Sequence, residues 1–276
     1  MKRLLKYSFI ALSLFLCCKP KDSPTDEFTY FSHVLQRKVK YLVLLPPDYA
    51  PQKQRYPVLY LLHCAGCTHY SYIEHYPLPK IHDFLKFIII IPFDGTTTGW
   101  WLDSPVDTLS QLSTWLSGEF KALIDSQYAT LPDRDNTGIA GHSMGGYGAL
   151  LNYINHCDIY GYAFSAKGLL NIIGHKGEFG ASGVLGRFAS HETLYEDVDL
   201  FSLANRLKGK NTSIRFYSGP SDWFTEENRC FDSLLTILKL RHSYFENEEP
   251  HPSMSLQSTW KMIRYFDSCF TGVYNR

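Results

Sequence analysis

The chain has 276 residues, with 27 basic and 27 acidic side chains and a formal net charge of zero. That length suits one α/β domain of generous size with a large buried core. The charge balance argues against a nucleic-acid binder, which would show a basic face, and 19 Tyr and 18 Phe supply aromatic surface for a core and a ligand cleft.

The first residues have the layout of an export signal. Lys2, Arg3 and Lys6 precede an apolar run from Tyr7 to Cys18, shorter than the roughly 20 residues that a membrane span needs. Cys17-Cys18 followed by Lys-Pro-Lys-Asp-Ser resembles the end of a bacterial lipoprotein signal, with Cys18 (or Cys17) as the lipidated residue. A multiply acylated cysteine would tether the protein firmly, as one chain alone would not. The expected organisation is a signal peptide over 1–18, a linker over 19–30 marked by Pro20 and Pro24, and a catalytic domain over 31–276. The protein is expected outside the cytoplasm, in the periplasm or at the cell surface.

Val39, Tyr41, Val43 and Leu45 alternate as in a half-exposed strand, stopped by Pro46-Pro47. Val58–Leu62 and Phe87–Ile91 are continuous apolar runs, as in buried parallel strands, the second ended by Pro92. Thr137–Ala140, Tyr160–Ser165, Ile214–Ser218 and Ser243–Glu246 complete the series. Between them Val106, Leu109, Leu112, Leu116, Phe120, Leu123 and Ile124 keep helical spacing, as do Phe231, Leu234, Leu235 and Leu238. Alternating strands and helices predict a mostly parallel central sheet with helices on both faces.

Cys64-x-x-Cys67 follows the second apolar run, with His63, His69 and His75 nearby. Their spacing does not match paired zinc ligands, and the setting is not that of a redox motif. A loop disulfide or two idle thiols is the plainer reading. No metal and no cofactor are expected.

The most informative stretch is Gly141-His142-Ser143-Met144-Gly145. A bare G-x-S-x-G arises by chance in roughly one chain of this length in ten. Here a strand signal enters it and a small-residue helix signal leaves it, which is the setting of a nucleophile elbow. Ser143 would stand at the tip, and the Met144 N–H would meet a developing oxyanion at a helix N-terminus. The loop after Val58–Leu62 offers the Ala65 N–H as the second donor. An acid and then a histidine should follow the serine in the chain. Asp222 closes the Ile214–Ser218 strand region, whereas Asp133 and Asp135 come too early and Asp197 and Asp199 lie where no strand is signalled. Only His242 and His251 come later. His251 is preferred because it sits in a loop after a strand. His63, His142, Trp100 and Trp101 are candidate pocket residues, and residues 174–207, with Phe179, Phe188 and Tyr195, are a candidate cap over the cleft.

From about Val39 to Phe270 the chain resembles the esterase D-like branch of the α/β-hydrolases. That branch holds S-formylglutathione hydrolases, feruloyl and acetyl xylan esterases, short-chain carboxylesterases and mycolyltransferases. The resemblance rests on Tyr60-Leu-Leu-His63, Ile89-Ile-Ile-Pro92, Gly118-Glu119-Phe120, Ile139 through Ala149, Gly219-Pro-Ser-Asp222-Trp-Phe and Pro250-His251. It implies the α/β-hydrolase fold, with Ser143 as nucleophile, Asp222 as orienting acid and His251 as base. The expected activity is that of a serine carboxylesterase on short-chain or carbohydrate-linked esters, working through an acyl-enzyme. The alternatives are an acyltransferase with the same triad and a non-catalytic binding protein on the same scaffold. The chain departs from the family pattern at His63-Cys64-Ala65-Gly66, at Ala166-Lys167-Gly168 and at Ser253. Lys167 near the cleft would suit an anionic substrate, and its plainer reading is a solvated lysine.

Overall fold

The computed structural model of the chain describes residues 26–272. The signal-peptide reading of 1–18 and lipidation at Cys18 or Cys17 lie outside the described residues.

Eight strands form one sheet in the order β1-β2-β4-β3-β5-β6-β7-β8. They are β1 (Asp26–Ser32), β2 (Arg37–Leu44), β3 (Val58–Leu62), β4 (Ile88–Phe93), β5 (Thr137–His142), β6 (Tyr162–Ala166), β7 (Ile214–Ser218) and β8 (His242–Glu246). β1 and β2 are antiparallel to their neighbours, and all pairs from β4 to β8 are parallel. Period-2 alternation sends successive side chains to opposite layers. Val39, Tyr41, Val43, Ile88 and Ile90 join the core beneath the elbow helix (Met144–Asn155). Leu42, Leu44, Ile89 and Ile91 join the core beneath the C-terminal helix (Leu256–Phe270). The chain therefore has the α/β-hydrolase architecture, with a mostly parallel sheet covered on both faces.

Three local readings are corrected. Residues 26–30, expected as the end of a linker, belong to β1, paired with β2 from Asp26↔Val43 to Ser32↔Arg37. As an edge strand with one neighbour, β1 stays largely exposed and shows no apolar run. Pro92 does not end its strand. It lies beyond the last pair with β3, Tyr60↔Ile90, where β2 is the remaining neighbour, and a missing N–H is tolerated at such an edge. The helical period expected from Val106 takes hold only at Leu112 and runs on as Leu112–Thr114, a π-helical Trp115–Phe120, and Lys121–Gln127. Val106 and Leu109 precede it and are exposed.

Candidate active site

The turn from β5 into the elbow helix is tight. A Cβ on Gly141 would meet the Gly145 carbonyl oxygen at 2.2 Å, and one on Gly145 would meet the Leu62 carbonyl oxygen at 2.1 Å. Only glycine permits that approach. Ser143 takes φ +56°, ψ −119°, an uncommon conformation for a residue with a side chain. Its amide donates to the Ala166 carbonyl at 2.9 Å, which ties the elbow to β6.

Three loops at the carboxyl ends of parallel strands meet at this point, where ligands bind in open α/β sheets. Ser143 follows β5. Asp222 follows β7 in a turn closed by its own N–H on the Gly219 carbonyl at 2.9 Å. His251 follows β8. The His251 Nε2 lies 2.9 Å from the Ser143 Oγ, and its Nδ1 lies 2.8 Å from the Asp222 Oδ2. The other Asp222 oxygen accepts from the Phe224 amide at 2.9 Å, so the carboxylate is held from both sides. The rival histidine, His242, stays at the start of β8, with its Nε2 3.0 Å from Asp232. The rival Asp199 caps a short helix by accepting from the Ser202 amide.

The cleft before Ser143 has a volume of about 300 Å³. Tyr76, Trp100, Leu169, Phe179, Trp223 and Phe224 supply most of its apolar wall. No Lys, Arg, Asp or Glu lines it among the described residues. Trp223 stacks on His251, and Phe224 meets the same ring edge-on at 4.9 Å. Both residues directly follow Asp222 in the chain, and that adjacency was the available signal for them. Tyr76 carried no such signal. Its hydroxyl lies 2.9 Å from the His142 Nδ1, while the His142 Nε2 lies 2.8 Å from the His251 carbonyl oxygen. Burial drives the His142 pKa down to about 3, so the ring stays neutral, with its Nε2–H donating to that carbonyl.

Ala65 and Met144 both line the cleft beside Ser143. Met144 opens the elbow helix, where an amide has no intrahelical acceptor. In the Ala65 loop the Gly66 amide goes to Thr97 and the Cys67 amide to Cys64, while the Ala65 amide meets no acceptor among the described residues. Cys64 and Cys67 are joined in a disulfide that brackets Ala65.

Of the four pocket candidates, His142 and Trp100 line the cleft, and His63 and Trp101 do not. Both of the latter are 1% exposed. The Trp101 Nε1–H donates to the His63 carbonyl at 3.1 Å, and its ring packs where Gly148 of the elbow helix leaves room. These two residues support the cleft from behind. In the candidate cap Phe179 reaches the cleft. Tyr195 is buried, donates to the Gly186 carbonyl and packs against Phe188, so these two hold the cap together instead. Lys167 is neither solvated nor in the cleft. It is completely buried behind the His251 loop.

A family model described as Putative esterase matches residues 32–244. Esterase Rv1288 of Mycobacterium tuberculosis is 35% identical over 113 residues, which cover 39% of this chain and 24% of that protein. The chain thus spans about a quarter of the length of that relative. S-formylglutathione hydrolase of Bos taurus is 24% identical over 222 residues, covering 73% of this chain and 76% of the relative. Among solved structures, S-formylglutathione hydrolase (FrmB) from Staphylococcus aureus aligns with a TM-score of 0.74 at 16% identity, over 89% of this chain and 98% of that one.

Proposed function

The chain belongs to the esterase family matched over residues 32–244, and within it we propose a serine carboxylesterase that cleaves small neutral esters through an acyl-enzyme. The observation that carries this reading is the unbroken line from the Ser143 Oγ through His251 to Asp222, at 2.9 and 2.8 Å.

The chemistry follows from that line. His251 Nε2 takes the Ser143 proton as Oγ attacks the ester carbonyl carbon. Asp222 accepts from Nδ1–H, fixes the tautomer and stabilises the imidazolium. The carbonyl oxygen becomes an oxyanion facing the Met144 and Ala65 amides. The imidazolium returns its proton to the departing alcohol. Water, deprotonated by the same ring, then attacks the acyl-serine and frees the acid.

The wall of the cleft sets the substrate class. Aromatic and aliphatic side chains without a fixed charge favour a neutral group. A volume of about 300 Å³ lies at the small end for ligand pockets, which suits a short acyl chain or one ring beside an alcohol left at the mouth. Alcohols of the carbohydrate type fit the open rim, where Trp223 offers an exposed face. Export and lipid anchoring at Cys18 (or Cys17) belong to the same proposal. The basic start and apolar run support it, and the Cys64–Cys67 disulfide suits an oxidising compartment.

The test is p-nitrophenyl acetate hydrolysis by the purified protein beside Ser143→Ala. Turnover by the wild type with a loss of several orders of magnitude in the variant is expected. Equal inertness of two folded proteins would remove the esterase reading for simple esters. Product analysis with added acceptor alcohols separates hydrolysis from acyl transfer.

A further inference from the structure

The catalytic reading leaves the buried Lys167 without a task. Lys167 follows β6, and its side chain is fully buried. Its backbone sits at φ +49°, in the left-handed region that glycine occupies freely and other residues rarely adopt. Its own amide donates to the Tyr217 carbonyl at 2.7 Å, which fixes it to β7.

The ammonium has three N–H donors and three destinations. One is the Pro250 carbonyl at 2.8 Å, one is the Ser253 carbonyl, and one is the Glu249 carboxylate at 3.5 Å. The two carbonyls flank His251, one residue before it and two after it. The His251 carbonyl between them accepts from His142 at 2.8 Å. Three carbonyls of one four-residue loop are therefore held by two side chains from strand ends β5 and β6. Glu249 is fixed in turn by Ser258 at 2.6 Å, by Asn247 at 2.8 Å and by Ser255.

We propose that Lys167 is a positioning residue: its ammonium locks the loop 250–253 so that the His251 Nε2 stays within hydrogen-bonding reach of Ser143. The proposal rests on the triad reading of the same site. A short loop such as this one, with prolines at 250 and 252, has few hydrogen bonds of its own. Without the ammonium, the Ser253 carbonyl would lose its donor, and the Pro250 carbonyl would keep only the Ser253 amide at 3.2 Å and hydroxyl at 3.1 Å, bonds inside the loop that do not tie it to the sheet, so the loop would turn toward water and carry the imidazole with it. Misplacing a catalytic group by about 1 Å can cost on the order of 100-fold in rate.

The clamp also has a pH signature. Burial pulls Lys167 below the ordinary lysine pKa, while Glu249 and Asp222 pull it back up. The charged and titratable groups around it are Glu249, Asp222, His142 and the Tyr217 hydroxyl. His142 is neutral above about pH 3, and Tyr217 is held neutral by burial, so neither changes state near the lysine. The clamping form is the protonated one. Activity should then fall on the alkaline side, below the ordinary lysine value of about 10.4.

The experiment measures kcat and KM for p-nitrophenyl acetate against pH, corrected for spontaneous hydrolysis. It also measures the rate at which a fluorophosphonate labels Ser143. Full-chain wild type, Lys167→Met and Glu249→Gln are compared. Lys167→Met should lose about 10- to 100-fold in kcat with KM within about two-fold, slow labelling in proportion and lose the alkaline limb. Glu249→Gln should move that limb to lower pH, because the counter-charge that keeps Lys167 protonated is gone. A Lys167→Met protein with a lowered Tm but wild-type kcat and labelling rate would overturn the proposal, as would a Glu249→Gln limb that does not move. Should Lys167→Met fail to fold, the wild-type limb and its shift in Glu249→Gln decide. A wild type that neither turns over nor labels would instead sink the triad reading itself.

Discussion

Trp223 lies flat against the His251 imidazole, 4.6 Å between centroids and 21° between planes, although 69% of its own surface is open to solvent. A large exposed aromatic contributes little to the core, so its use lies at the cleft mouth. Trp223→Ala should leave the unfolding free energy within about 0.5 kcal/mol of wild type. It should raise KM several-fold for aryl esters more than for acetyl esters. An unchanged aryl-to-acetyl ratio would take the indole out of substrate contact.

Asp222 gives one oxygen to His251 and the other to the Phe224 amide. Asp222→Asn preserves the size of the side chain but can offer an N–H where His251 needs an acceptor, which favours the wrong tautomer. A fall in kcat of about 10³- to 10⁴-fold is expected, with the fold intact by circular dichroism. A loss under ten-fold would mean that another carboxylate orients the ring.

Ala65 lines the cleft, and its amide has no acceptor among the described residues. Ala65→Pro removes that N–H and nothing else that the chemistry uses. Losing one oxyanion donor should lower kcat by about 10²- to 10³-fold, or about 3–4 kcal/mol. Thermal melting checks the loop, which the Cys64–Cys67 disulfide already constrains. Wild-type kcat in a folded variant would place the second donor elsewhere.

Adjacent tryptophans should separate cleanly. Trp100 lines the cleft, and Trp101 braces the His63 carbonyl from the core. Trp100→Ala should shift acyl-length preference toward longer chains. Trp101→Ala should cost stability on the scale of about 3–5 kcal/mol while leaving that preference alone. Chain-length panels and urea melts read the two outcomes, and a shifted preference in Trp101→Ala would return it to the pocket.

Acid should destabilise the fold through His142. Its pKa is pushed down to about 3 by burial, whereas the unfolded chain titrates near 6.5. Because the folded value is the lower one, protons bind the unfolded state preferentially as pH falls from 6.5 toward 3. Stability is full above that window and is lost within it, at up to about 1.4 kcal/mol per pH unit. His63 and His69, also lowered by burial, act in the same direction. Urea melts at pH 7 and pH 5 should show the drop, and His142→Gln should flatten the slope. An equal slope in the variant would assign the acid sensitivity to other groups.

The sequence by itself determined the parts that depend on neighbours in the chain. β3 and β4 are readable because a buried strand can present an unbroken apolar run, and Gly141 and Gly145 mark a turn where backbone meets backbone. Chain order then selected Asp222 and His251, because each sits just beyond a strand of a parallel sheet, where the carboxyl ends converge. Tertiary structure decided what each side chain faces. Trp100 and Trp101 are adjacent and alike, yet one wall of the cleft and one of the core take them. β1 has exposed residues on both faces, so its strand character comes from pairing with β2 and not from its own pattern. Lys167 carries the residue type of the surface and lies in the interior, because three acceptors from a loop more than 80 residues away surround it. Burial and partner choice are sums over distant segments, and no window of local sequence contains them.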